Sequence, residues 1–297
     1  MKRKQGLILA ILGASFWGLS GVSSQFLFKQ PFSPIWLVGM RLFVAGLLML
    51  LFAASQPQLK AQTFKIWQSS SSRKQLLLFS FLGFLPAQLA FFLTIGYSNV
   101  ATAAALQFLN PLFTIIYCTL KKRCLPNRIE MITIGLSLGG TLLLVTNGNF
   151  GSLSLAPLAL FWGIVSAIGA VFYSLLPQKL LNDYDATIVV GWGMFLGSLP
   201  LLPVVFLIAL PAFSVPIIIN IVFVVLVGTL LASLAYIKSL AFLPAATTQM
   251  LGSFEPLTAT LACMLVLQDK LGGFEILGMV LILSVVFIQF GFSKLQA

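Results

Sequence analysis

Gln249-Met-Leu-Gly-Ser-Phe-Glu255-Pro256-Leu-Thr-Ala-Thr-Leu-Ala-Cys263 sets one carboxylate in the middle of an apolar run and follows it at once with a proline. An ionisable group at membrane depth is costly and usually faces a bundle interior or a water-filled cavity. The proline distorts any helix that passes through it. A related stretch lies 145 residues earlier, Ala103-Ala-Ala-Leu-Gln107-Phe-Leu-Asn110-Pro111-Leu112-Phe-Thr114. Two polar-proline stretches at equivalent places predict a duplicated helical membrane protein, and matched breaks of this type point to a transporter site.

Composition agrees. Of 297 residues, 59% are apolar and 8% are charged, and the mean hydropathy is +1.06. A soluble domain carries about 25% charged residues, so this chain cannot cover a water-facing surface. Ten apolar segments are long enough to cross a bilayer, which takes roughly 20 residues. Numbered in chain order, they are 6–28, 34–54, 75–97, 101–120, 129–146, 155–176, 187–209, 217–242, 245–266 and 272–292. Met1-Lys-Arg-Lys before Gly6 resembles the start of a signal peptide, but the apolar run continues to Phe28, so segment 1 reads as an uncleaved helix. The longest polar connection runs from Ser55 to Lys74.

The net charge of +11 suits nucleic acid only until the charges are placed. With the amino terminus in the cytoplasm, 13 basic residues fall on cytoplasmic connections and only Lys29 and Lys270 on outer ones. That asymmetry predicts cytoplasmic amino and carboxyl termini and excludes nucleic acid as the partner. Cys118, Cys124 and Cys263 form neither a disulfide framework nor a metal-ligand pattern. Histidine is absent. No metal or cofactor is expected, and an enzyme is not, because acid–base and metal constellations are lacking.

A shift of 145 aligns segments 3–5 with 8–10: Gly83 with Gly228, Gln88 with Ser233, Phe91 with Tyr236, Asn110-Pro111 with Glu255-Pro256. A shift of 152 or 153 aligns segments 1 and 2 with 6 and 7, matching Gly39 to Gly191 and Ser20 to Tyr173. Five segments per half, an odd number, predict two inverted five-helix repeats, residues 1–150 and 151–297. Such repeats place the solute site near the midplane between them.

These features resemble the EamA type of the drug/metabolite transporter superfamily. The parts that carry the resemblance are Ala14-Ser-Phe-Trp17-Gly18, Arg41, and the two stretches from Asn99-Val-Ala-Thr-Ala-Ala to Asn110-Pro111 and from Leu243-Pro-Ala-Ala-Thr-Thr to Glu255-Pro256. The family's repeat usually closes its fourth span with Leu-Gly-Glu. Here the second half has Leu267-Gln268-Asp269 and the first has Lys122-Arg123-Cys124. The resemblance implies an all-α secondary transporter in a bacterial plasma membrane, working by alternating access, with export as its direction. The small-molecule substrate is expected to be hydrophobic, aromatic or zwitterionic, since the spans hold few charges. No ATP-binding motif is present, so an ion or solute gradient supplies the energy, with a proton as the candidate coupling ion. A lipid flippase or a non-transporting helper subunit is the alternative reading, and a homodimer stays open.

The candidate substrate-binding or coupling residues are Glu255, Asn110, Gln107, Trp17, Gln88, Phe91, Tyr173 and Tyr236. Gln107 and Asn110 share one face of segment 4 with Thr114, which reads as structural. Each polar candidate also has a plain reading as an interhelical hydrogen bond, and each aromatic one as packing beside small residues. Pro111 and Pro256 are the expected helix breaks. Arg41 and Lys238 are candidate charge partners. Arg41 is expected mainly to snorkel outward or to hold helix-end carbonyls, and Lys238 to reach the cytoplasmic interface.

Overall fold

A chain this apolar has no water to satisfy its backbone, so helices are the economical solution. The computed structural model describes residues 2–122, 128–149, 155–208, 211–244, 247–248, 251–268 and 272–293. Among these residues every regular element is helical. Six helical stretches, two of them counted across a turn of one or two residues, are long and apolar enough to cross a membrane: Arg3–Phe28, Pro34–Ser55, Ser70–Tyr97, Val100–Tyr117, Pro157–Asp183 and Val215–Ser239. Shorter apolar helices, Ile134–Leu143, Ala186–Ser198, Phe254–Leu267 and Gly273–Ser284, lie within segments 5, 7, 9 and 10. Cys124 and Lys270 lie outside the described residues, as do the side chains of Pro111, Cys118 and Glu130.

The helices pack in a regular set of pairs. Lys2–Phe28 lies chiefly against Ala232–Ser239 and Phe254–Ala262, while Pro157–Leu175 lies chiefly against Leu85–Tyr97 and Val100–Gln107. Pro34–Ser55 packs on Ala186–Ser198, and Arg128–Thr146 on Gly273–Ser293. Small residues bring these pairs together, as expected where lipid offers no hydrophobic drive. A Cβ on Gly83 would stand 2.9 Å from the Tyr173 amide nitrogen, and one on Gly228 only 2.1 Å from the Ser20 Cβ.

Three features add to or differ from the sequence expectation: the position of the breaks in segments 4 and 9, two π-helical turns and a helix in the polar connection. Segments 4 and 9 are not single helices. Val100–Gln107 stops, Phe108 and Leu109 form a turn, and Asn110–Lys122 begins anew. In segment 9 the turn is Gly252-Ser253, ahead of Phe254–Ala262. The breaks therefore precede the prolines, which occupy the first turn of the second half-helix. There the missing proline N–H removes no helical hydrogen bond. Segments 3 and 8 each contain a π-helical turn, Phe79–Phe84 and Leu226–Leu231. Finally, the polar connection contains an amphipathic helix, Pro57–Gln68. It buries Thr63 and Ile66 and exposes Phe64. Trp67 meets Trp192 edge-on at 5.0 Å, and the Trp192 indole N–H donates to the Thr63 carbonyl at 3.0 Å.

Candidate functional site

The two half-helix starts carry the site's acceptors. Asn110 opens Asn110–Lys122, and Glu255 sits in the first turn of Phe254–Ala262. A helix N-terminus presents free N–H groups and partial positive charge, so a carboxylate or amide oxygen is favoured there. Gly18 lets segment 1 reach the same point: a Cβ on it would lie 2.6 Å from the Glu255 carbonyl oxygen. The Thr258 hydroxyl donates to the carbonyls of Phe254 and Glu255, at 2.6 and 3.0 Å. Thr114 donates to the Asn110 carbonyl at 2.9 Å, a structural contact as expected.

A cavity of about 40 Å³, counted as the space open to the centres of water molecules, lies where these starts meet segments 1, 2, 3, 6 and 8. Trp17, Gln88, Phe91, Gln107, Asn110, Tyr173, Tyr236 and Glu255 all line it, and so does Arg41. It holds a few waters at most, so this conformation is closed around its centre. Glu255 is 9% exposed, and among the described residues no side chain donates to its carboxylate. Asn110 Oδ1, Trp17 Nε1, Ser20 Oγ and Arg41 Nε are buried without a hydrogen-bond partner. Orphaned buried polar atoms are uncommon, and each calls for an explanation.

Arg41 departs from its expectation. It does not snorkel: it is 1% exposed. It donates to Thr229 Oγ1 at 3.0 Å and to Gln88 Oε1. Its guanidinium carbon stands 3.8 Å from the Phe92 ring centroid, a cation–π contact. Thr229 in turn donates to the Val224 carbonyl at 2.7 Å, a bond five residues back that fits the wider π turn. Segment 2 is thus tied to segments 3 and 8 through one guanidinium. Arg41 and Glu255 line the same cavity without forming an ion pair with each other. Lys238 is exposed and does not line the cavity, so it is no partner for Glu255.

Gln107 serves both of its readings. It lines the cavity, and its amide donates to Ser166 Oγ at 2.6 Å and to the Ala87 carbonyl at 3.1 Å. Ser166 adds a bond to the same carbonyl at 3.1 Å. Trp17, Tyr173 and Tyr236 form a three-ring cluster, with Trp17–Tyr236 at 4.8 Å, Trp17–Tyr173 at 5.8 Å and Tyr173–Tyr236 at 5.9 Å. Phe79 and Phe84 back Tyr173 at 5.7 and 5.1 Å. The Tyr236 hydroxyl lies 3.3 Å from Ser174 Oγ. Sequence reading missed Thr229, Phe92, Ser166 and Ser174 as site residues. The one available signal, for Thr229 and Phe92, was the need of a buried Arg41 for partners.

Comparisons with known proteins bear on the family and the fold. The chain is 37% identical over 95% of its length, and 95% of the relative's, to the "Uncharacterized inner membrane transporter YicL" of Salmonella typhimurium. It is 24% identical, over 98% of its length and 94% of the relative's, to an "Uncharacterized transporter" of Clostridium kluyveri. A solved crystal structure shares the fold across 100% of this chain and 99% of its own, with a TM-score of 0.65 at 14% identity. The EamA-like transporter family matches residues 4–146 and 157–290, so this multi-pass membrane protein belongs to that family of the drug/metabolite transporter superfamily.

Proposed function

We propose that the protein is a secondary transporter of the bacterial plasma membrane that moves a small organic solute outward by alternating access. In this reading ten spans form two inverted halves, residues 1–150 and 151–297, with both termini in the cytoplasm. The carrying observation is the buried central cavity, which is lined by one guanidinium, one carboxylate and six aromatic side chains where the two broken segments meet. Exchanging the halves supports the duplication. The contact of segment 1 with 8 becomes that of 6 with 3, 1 with 9 becomes 6 with 4, and 2 with 7 and 5 with 10 map onto themselves. Gly83 facing Tyr173 is likewise matched by Gly228 facing Ser20.

The site's chemistry favours a hydrophobic, aromatic or zwitterionic solute. Rings offer area, while Arg41 Nε and the Glu255 carboxylate offer one charge of each sign. A multiply charged solute would lack compensating groups. Glu255 is the candidate for a coupling proton, because it is the acidic side chain of the cavity. A thermal-shift screen of zwitterionic and aromatic metabolites on purified protein identifies the solute, since a ligand stabilises the state that binds it. Transport of that solute in vesicles, across a range of pH, then compares wild type with Glu255→Gln. The expected outcome is a folded, inserted variant with coupled transport abolished. An unchanged rate and pH profile would leave Glu255 a packing group.

A further inference from the structure

The helix Ser70–Leu78 has two faces with different partners. One face is anchored: Gln75 Nε2 donates to the Leu176 carbonyl at 2.8 Å, and the Tyr184 hydroxyl donates to Ser72 Oγ at 3.2 Å. The other borders a groove of about 380 Å³ lined by Ser70, Arg73, Lys74, Leu77, Leu78, Phe81 and Leu82. Arg73 and Lys74 stand at its polar end. Leu78, Phe81 and Leu82 are 37%, 38% and 48% exposed along its apolar wall. From Arg73 to Leu82 the helix rises roughly 14 Å at 1.5 Å per residue, about half of a hydrocarbon core.

The electrostatics of the polar end are one-sided. The helix has no acidic residue in its first turn. Its N-terminal partial charge therefore adds to the two side-chain cations instead of opposing them. Among the described residues neither the Arg73 nor the Lys74 side chain donates a hydrogen bond or joins an ion pair; the Arg73 backbone N–H bonds the Ser69 carbonyl within the helix. An occupant must neutralise two cations at one end and cover leucine and phenylalanine along the other.

We propose that this groove binds an anionic phospholipid, its phosphate headgroup between Arg73 and Lys74 and one acyl chain along Leu77, Leu78, Phe81 and Leu82. Charge complementarity selects the headgroup, and the half-exposed apolar wall at membrane depth selects a lipid over a free anion. Placement in the cytoplasmic leaflet rests on the orientation proposed above. The groove itself does not.

The test is lipid retention by purified full-length protein in detergent, read by native mass spectrometry. Phosphatidylglycerol is titrated against phosphatidylcholine with identical chains. Basic residues near a membrane surface contribute about 1 kcal/mol each, or roughly fivefold in affinity. Wild type should prefer phosphatidylglycerol, and Arg73→Gln with Lys74→Gln together should weaken it about 25-fold on the same figure. Phosphatidylcholine retention and thermal stability should stay unchanged. Lys29→Gln, at the far end of segment 1, is the control and should bind as wild type. Equal retention of both lipids, an unaffected double variant, or displacement by inorganic phosphate at the lipid's own concentration would each overturn the proposal. No leaflet exists in detergent, so a wrong orientation cannot produce any of these results.

Discussion

Glu255, Asn110 and Arg41 place most of the site's chemistry, and they were unequally legible. Glu255 announced itself as the carboxylate set in the middle of an apolar run, and Asn110 followed from its position 145 residues earlier. Arg41 was visible too, but depth along a segment does not tell which face a side chain takes, so its burial was missed. Thr229 was hidden entirely, because a threonine among valines and leucines looks like ordinary span sequence until a guanidinium is found beside it. Thr229→Val tests that link. It removes an acceptor from a buried cation and should cost about 1–3 kcal/mol, read as a lowered thermal midpoint with phosphatidylglycerol retention unchanged. Gln268 carries the opposite prediction. It closes segment 9 at φ 55°, a left-handed conformation, and it holds the middle position of the motif where the family usually has glycine. A side chain there costs roughly 1–2 kcal/mol, so Gln268→Gly should raise the midpoint, and a fall would contradict the strain.

At the scale of elements, the prolines made the breaks in segments 4 and 9 readable, because proline cannot join a helix interior without losing a hydrogen bond. The π turns in segments 3 and 8 had no such marker; Phe-Ser-Phe-Leu-Gly-Phe and Leu-Val-Gly-Thr-Leu-Leu carry ordinary helix formers around one glycine. The amphipathic helix Pro57–Gln68 escaped because its apolar face is short and interleaved with lysine and glutamine. Close approach of elements gives a sharper forecast. Gly18→Leu forces a side chain into the backbone of Glu255 and Ala259, where a Cβ alone would come within 2.6 and 2.9 Å. Overpacking of this kind costs about 1–3 kcal/mol. The expected result is a lowered midpoint together with lost solute-induced stabilisation, measured on the same purified sample. Wild-type solute stabilisation in Gly18→Leu would mean that segment 1 does not position Glu255.

For the whole molecule, membrane embedding and helical class were fixed by composition, and the duplication by the two shifts. The closed state of the cavity was not legible, since it depends on how rings such as Trp17, Tyr173 and Tyr236 meet across segments far apart in sequence. Orientation is tested by cysteines at Ser71 and Gly151: the first should react only from the cytoplasmic side and the second only from outside, and labelling from one shared side would end the ten-span account. In the proposed transport cycle the cavity between the halves is the pathway and opens to each side in turn. Its most direct measurement places Asn110→Cys in a background with Cys118, Cys124 and Cys263 changed to serine. A membrane-impermeant thiol reagent is then applied to right-side-out and to inside-out vesicles. Slow labelling is expected in both preparations, with protection in both by the transported solute; labelling in neither, with the protein folded and transporting, would show that the cavity is not the pathway.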